Sequence, residues 1–239
     1  MTNTTTVEPT IWLRTIAREN GIAISDEEIA KLDLFAKNLL EWNQKINLIS
    51  RRDAENIWQA HILSSLSLLF VRDFFPETSV VDIGTGGGFP GVPLAILRPT
   101  VKFVLADSIA KKIKALDGIL SGLGLQNVST VCERAEVLSA REGYAGRFDY
   151  VVARAVSSVK ELIKWGKPFL ALPPIAGTPE SGPRPLLPRG SMVLYKGGLL
   201  EDEIAQANVK FKPRNVEVVP LVIKGMADDA GKRLVIIQP

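Results

Sequence analysis

The stretch Val80-Val-Asp-Ile-Gly-Thr-Gly-Gly-Gly-Phe-Pro-Gly91 constrains this 239-residue chain more than any other. A short apolar run from Ser79 feeds a glycine-rich turn, and the apolar segment Gly91 to Leu97 that follows suits a helix. Glycine turns tightly and lets a ligand approach the backbone without a Cβ in the way, and the start of a helix lies close by. The pattern is β-turn-α, and it points to a nucleotide-like ligand.

The rest of the chain repeats the alternation. Val101 to Asp107 reads as a second strand, Lys111 to Leu123 as an amphipathic helix, and Val128 to Cys132 as a third strand. Phe148 to Ala153 gives a fourth strand with a helix from about Ser158 to Gly166. Ser191 to Tyr195, a helix from about Glu201, Val216 to Leu221 and Arg233 to Ile237 complete the pattern. Alternating strands and helices predict an α/β fold, Rossmann-like, whose mostly parallel central sheet carries helices on both faces. Ahead of it, residues 11–49 show two helical stripes, Ile11 to Ile16 and Ile29 to Ile46, the second opened by a Ser25/Glu28 capping box. A third helix is expected from about Ala54 through His61 and Leu69, closing before Pro76. Residues 1–75 are thus expected to form an N-terminal helical region packing on a domain spanning 76–239. Residues 171–190 hold six prolines, which excludes a helix or central strand and predicts a mobile surface loop.

Composition excludes several classes. One cysteine, Cys132, and one histidine, His61, cannot build a Cys/His metal site or a disulfide framework, so no metal is expected and a reducing cytoplasm is the default. Met1 to Thr10 is polar, with no basic segment leading into an apolar one. No run of about 18 uncharged apolar residues follows, so neither secretion nor a membrane span is expected. The net charge is +3, unevenly placed: residues 151–200 carry 7 basic and 2 acidic side chains. Such a face fits a polyanionic partner and equally a solvated lysine-rich surface. Lys111, Lys112, Lys114, Lys160, Lys164 and Lys167, with Arg51 and Arg52, are the candidate phosphate contacts lining a groove toward the cleft.

Two readings compete for the turn. Gly86, Gly88 and Gly91 satisfy the G-x-G-x-x-G dinucleotide pattern, and Asp107 stands at about the 20-residue spacing of its ribose-binding acid, which would make a nicotinamide dehydrogenase. Asp82-x-Gly84-x-Gly86-x-Gly88 is also the acidic-glycine signature of a class I methyltransferase using S-adenosylmethionine. That reading takes in more residues. Asp82, Gly84, Thr85, Gly86 and Gly88 then surround the cofactor from the turn, and Asp107 and Ser108 hold the ribose. Ala135 and Glu136 lie at the adenine, and the fourth strand aims Arg154 at the reacting centre. Spacing alone also fits Phe89 as a core residue, Glu136 as a helix cap and Arg154 as a strand-end surface residue. A lone histidine in an apolar helix is usually structural, and Asn43 and Asn47 suit backbone capping.

Trp42-Asn43 with Lys45 to Leu48, His61-Ile-Leu63 ahead of Ser65-Leu66, Gly88-Phe-Pro-Gly91 with Pro93, Asp107-Ser108 with Lys111-Lys112, Glu133 to Glu136, Arg154-Ala155 and Lys196-Gly197 together carry a family resemblance. The chain resembles the bacterial ribosomal RNA small subunit methyltransferase G family, also called glucose-inhibited division protein B. The resemblance implies a cytoplasmic enzyme that methylates N7 of one guanosine of 16S rRNA, on the RNA or the small ribosomal subunit, without metal and as a monomer. It implies Gly84 and Phe89 as cofactor contacts and Arg154 where cofactor and guanine meet. Guanine N7 has its own lone pair, so alignment and exclusion of water, rather than a general base, should carry catalysis. A non-catalytic RNA-binding or ribosome-assembly module is the alternative outside enzymes. The chain departs from the family pattern at Ser64, where Asp is usual, at Ala153, where Ser is common, and over 171–190, which looks like an insertion.

Overall fold

A computed structural model describes residues 8–171, 184–226 and 231–239. The chain opens with α1 (Pro9–Glu19), started by Pro9 in the first turn, and α2 (Asp26–Asn43). The expected capping box closes α2: the Glu28 N–H donates to Ser25 Oγ at 3.2 Å, and the Ser25 N–H donates to Glu28 Oε2 at 2.7 Å. Asn43 then accepts from the Leu48 and Ile49 N–H groups with one oxygen, the capping role its sequence position suggests.

The single helix expected from Ala54 to Leu69 is broken. A short α3 (Arg51–Glu55) ends at Asn56, a π-helical turn spans Trp58–Leu63, and α4 (Ser64–Val71) continues from it. The wider turn is where Arg154 docks from the sheet, its Nη1 donating to the Ala60 carbonyl at 3.2 Å.

The sheet has seven strands in the order β3-β2-β1-β4-β5-β7-β6: β1 (Ser79–Ile83), β2 (Lys102–Asp107), β3 (Val128–Cys132), β4 (Tyr150–Arg154), β5 (Ser191–Lys196), β6 (Asn215–Pro220) and β7 (Arg233–Gln238). The first five run parallel and β7 lies antiparallel between β5 and β6. Between them run α5 (Gly91–Leu97), α6 (Ala110–Ser121), α7 (Ala135–Leu138), α8 (Val159–Gly166) and α9 (Glu201–Phe211). Strand order reverses at the β1/β4 junction, the switch point beyond whose carboxyl ends ligands bind in open α/β sheets.

Strand pleat divides the core in two. Val80, Phe103 and Val152 face one layer, packed with Leu13, Phe35, Leu39, Leu63, Leu66, Leu94 and Leu116 from the N-terminal helices, α5 and α6. Val81, Val151 and Leu194 face the other, with Leu138, Leu162, Ile163 and Ala207 from α7, α8 and α9. Among the described residues no helix is long and apolar enough to cross a membrane.

Residues 172–183 of the expected loop lie outside the described residues. The part from Arg184 to Gly190 is anchored rather than loose: Leu187 is fully buried, its N–H donates to the Asp73 carbonyl at 2.7 Å, and its carbonyl accepts from Tyr150 Oη at 3.0 Å.

Candidate functional site

The glycine turn is held by Asp82 from below. This carboxylate is fully buried. Its Oδ2 accepts from Thr85 Oγ1 at 2.8 Å and from the Gly91 N–H at 2.9 Å, tying the two ends of the turn together, while Oδ1 has no partner. Burial pushes its carboxyl up to about 7, against the Thr85 and Gly91 hydrogen bonds that pull it down. Gly84, Gly86 and Gly88 adopt φ of +70°, +56° and +94°, a region glycine enters without strain. A Cβ at Gly84 would stand 2.7 Å from Val156 Cγ2.

Above this turn lies a cleft of about 370 Å³ at the carboxyl ends of β1, β2 and β3. Gly84, Asp107, Ser108, Ala135 and Glu136 all line it, together with Lys112, Glu133 and Arg134 and an apolar surface that includes Ile83, Val156 and Trp165. Asp107 is oriented by two backbone donors, the Gly86 N–H at 3.0 Å to Oδ2 and the Ile109 N–H at 2.9 Å to Oδ1. Each oxygen keeps a second lone pair, so the carboxylate can still accept from a diol.

The other expected contacts are placed differently. Asp82, Thr85, Gly88 and Phe89 are buried beneath the turn. Phe89 packs edge-on against Phe35 with ring centres 5.3 Å apart and lies 4.7 Å from the His61 ring. Gly86 reaches the cleft through its hydrogen bond to Asp107. Arg154 faces away from this cleft: its guanidinium sits 5.1 Å over the Phe89 ring and its Nη2 donates to His61 Nδ1.

Arg154 instead lines a second cleft, of about 310 Å³, on the far side of Ala155. Ala155 borders both clefts and holds a φ of +55°, the left-handed conformation that a residue with a Cβ rarely takes. Asp53, His61 and Ser64 form one side of this second cleft, and Lys196, Lys232 and Arg233 bring positive charge to it. Burial, followed by the Arg154 charge, holds the His61 imidazole down at about 4, so the ring is neutral at physiological pH. Sequence reasoning favours a structural His61 with an RNA or active-site contact as the alternative, and it passes over Asp53, Lys232 and Arg233. Their only signal was proximity in sequence to Arg51-Arg52 and to the last strand, which says nothing of a shared cleft. The lysine groove does not form as expected: α6, with Lys111, Lys112 and Lys114, and α8, with Lys160 and Lys164, cover opposite faces of the sheet. Of these only Lys112 lines the first cleft.

The model of the family described as rRNA small subunit methyltransferase G matches residues 28–174. The chain belongs to this family. Ribosomal RNA small subunit methyltransferase G of Christiangramia forsetii is 39% identical over 183 residues, 76% of this chain and 79% of that protein. The Bacteroides fragilis protein of the same name is 37% identical over 206 residues, 83% of this chain and 85% of its own length. Among solved structures, a predicted O-methyltransferase from Agrobacterium tumefaciens superposes with a TM-score of 0.50 at 14% identity, covering 73% of this chain and 79% of that one. The fold is therefore the Rossmann-like class I methyltransferase fold. Membership sets the dehydrogenase reading aside, and the geometry agrees. Gly91, third glycine of the dinucleotide pattern, sits in the first turn of α5 packed against Leu105 and Asp82, away from the first cleft.

Proposed function

We propose that this protein transfers a methyl group from S-adenosylmethionine to N7 of a guanosine of 16S rRNA, the cofactor lying in the first cleft and the base in reach from the other side of Ala155. The observation that carries the reading is the first cleft. It combines an aligned carboxylate at the end of β2, an open glycine backbone at Gly84 and an apolar wall beside Ala135, a donor set that fits an adenosine with a ribose diol. Asp107 and Ser108 would accept from the ribose hydroxyls, Ala135 and Glu136 would flank the adenine, and Gly84 would pass the amino-acid tail without a side chain in the way. Asp82 and Thr85 act one layer below, by fixing the turn. When bound, the cofactor supplies a methyl carbon on a sulfonium; the N7 lone pair forms the new C–N bond while the C–S pair returns to sulfur, and no proton has to be removed.

The chain's own part is alignment and exclusion of water. Arg154 donates through Nη1 to the Ala60 carbonyl and through Nη2 to His61 Nδ1, which fixes its guanidinium against the π-helical turn. It serves as a positioning residue that joins β4 to the π-helical turn. The decisive experiment is transfer of labelled methyl from S-adenosylmethionine to small ribosomal subunits lacking the modification, followed by mapping of the labelled base. Label at one guanine N7 is the expected result. Tight binding of S-adenosylhomocysteine with no transfer to subunits or RNA would replace this reading with a non-catalytic RNA-binding role.

A further inference from the structure

The second cleft has a polarity that the methyl-transfer step alone does not require. Contacts along its wall run from Arg154, which follows Ala153 into the border residue Ala155, to His61 and from His61 to Asp53. Arg154 Nη2 donates to His61 Nδ1, so the neutral imidazole carries its proton on Nε2, at the opposite side of the ring. That Nε2 is buried and makes no hydrogen bond, and Asp53 Oδ2 stands 3.6 Å from it, just beyond hydrogen-bond reach. A buried donor without an acceptor is costly, and here it borders an open cleft. Beside it, Asp53 offers a carboxylate whose side chain is 42% exposed. Ser64 contributes only a hydroxyl, so Asp53 is the one carboxylate among the described lining residues.

We propose that the second cleft receives the target guanine base, with His61 Nε2–H donating to O6 and the Asp53 carboxylate accepting from N1–H and the exocyclic N2 amino group. This rests on the reading above that a guanine N7 is methylated. Along the edge of guanine the groups run N7, O6, N1, N2: a reacting lone pair, an acceptor and two donors. Along the wall the chain presents Arg154, bonded to Ala60 and His61, then a donor, then a two-oxygen acceptor, in the same direction from the first cleft. Adenine shows a donor at position 6 and an acceptor at N1, which would set donor against donor at His61 and lone pair against lone pair at Asp53. The arrangement therefore selects the base as well as holding it.

The carboxylate also acts on the rate. As the C–N bond forms, the positive charge carried by the sulfonium passes to the purine ring, and N1–H becomes more acidic. Its hydrogen bond to Asp53 strengthens in the transition state more than in the bound substrate, which raises kcat as well as affinity. Lys232 and Arg233 stand at the same cleft, where their charge would attract the backbone phosphates, while the Lys196 ammonium is paired with Glu203 at 2.9 Å.

The test is methyl transfer by the full chain and by Asp53→Asn to small subunits reconstituted with either guanosine or inosine at the target position, inosine lacking the N2 amino group. The wild type is expected to prefer guanosine by roughly 10- to 100-fold in kcat/KM, the range for one hydrogen bond to a charged group. Asp53→Asn is expected to lose a comparable factor on guanosine, mostly in kcat, and to bring the guanosine-to-inosine ratio toward one. S-adenosylhomocysteine affinity should be unchanged in the variant, which separates loss of base reading from loss of fold, and Asp53→Glu should recover part of the preference. Full guanosine preference retained in Asp53→Asn, or a wild type indifferent to inosine, overturns the inference while leaving the methyltransferase reading intact. A wild type that transfers no methyl to guanosine-containing subunits removes that reading and this inference with it.

Discussion

Asp82 gives the protein a stability that declines as pH rises, and the size of the effect follows from its surroundings. The carboxyl is fully buried under the glycine turn, with one oxygen bonded to Thr85 and Gly91 and the other unpaired. Burial moves it from an ordinary 3.8 to about 7, with the Arg154 charge working against burial and the Asp107 charge with it. Between those two values the native state binds a proton that the unfolded chain has released. The stabilisation is therefore complete below about pH 4 and lost as pH rises through 7. At 1.36 kcal/mol per pH unit the full excursion is about 4 kcal/mol. His61 works in the opposite direction over part of this range: with its native value near 4 against 6.5, it costs stability as pH falls from 6.5 to 4. The measurement therefore compares two proteins rather than two pH values. Urea unfolding of the wild type and of Asp82→Asn is followed from pH 4 to pH 8, and the wild-type value is subtracted from the variant's at each pH. His61 cancels, and any fixed effect of the amide is a constant offset. The difference should climb by about 4 kcal/mol in favour of Asp82→Asn across the series, roughly 10 °C in Tm for a chain of this length. A difference that stays within about 0.5 kcal/mol of constant would mean that Asp82 titrates alike in both states, and the account of the turn's electrostatics would fall.

Asp107→Ala should weaken S-adenosylhomocysteine binding at least tenfold by calorimetry, because it removes the aligned acceptor of the first cleft and the anchor of the Gly86 N–H together. Gly91→Ala places a methyl against Leu105 Cδ2 and Asp82 Oδ2 and should cost about 3 kcal/mol in urea unfolding, since neither neighbour is free to move away. Tyr195→Phe leaves the buried Ser65 carbonyl without the 2.7 Å donor it now has, and should lower stability by about 1–3 kcal/mol while S-adenosylhomocysteine affinity stays unchanged.

The parts legible in the sequence were those governed by local rules. Period-two apolar runs marked Val80, Phe103 and Val152 as strand positions, the Ser25/Glu28 spacing marked the start of α2, and the glycines marked the turn at the switch point. The first cleft was legible for the same reason: Gly84, Asp107, Ser108, Ala135 and Glu136 each sit at or just beyond the end of a strand, so their convergence follows from strand order. Depth was not legible. Asp82, Thr85 and Phe89 share the motif with Gly84 but point beneath the turn, and a one-dimensional pattern does not distinguish a residue that touches a ligand from one that shapes the loop around it. The π-helical turn was hidden as well, since Trp58 to Leu63 is apolar at spacings an α-helix would also accept. Its partner lies about ninety residues later, in the guanidinium of Arg154.

That long-range joint bears on what residues 1–75 contribute. They share one apolar core with the sheet: Phe35, Leu39, Leu63 and Leu66 pack in the same layer as Val80, Phe103 and Leu116, and Tyr195 of β5 donates to the Ser65 carbonyl of α4. They also supply Asp53, His61 and Ser64 to the second cleft, whereas the lining of the first cleft comes entirely from residues after 82. Removing them would leave the first cleft's residues in the chain but strip the sheet face behind α5 of its cover. A chain beginning at Pro76 should therefore be insoluble or molten by near-ultraviolet circular dichroism, and should not bind S-adenosylhomocysteine. If it folded cooperatively and bound S-adenosylhomocysteine as the full chain does, the helical region would be an appended module. Its role would then be confined to the second cleft, and the shared core would be an incidental contact rather than a condition of folding.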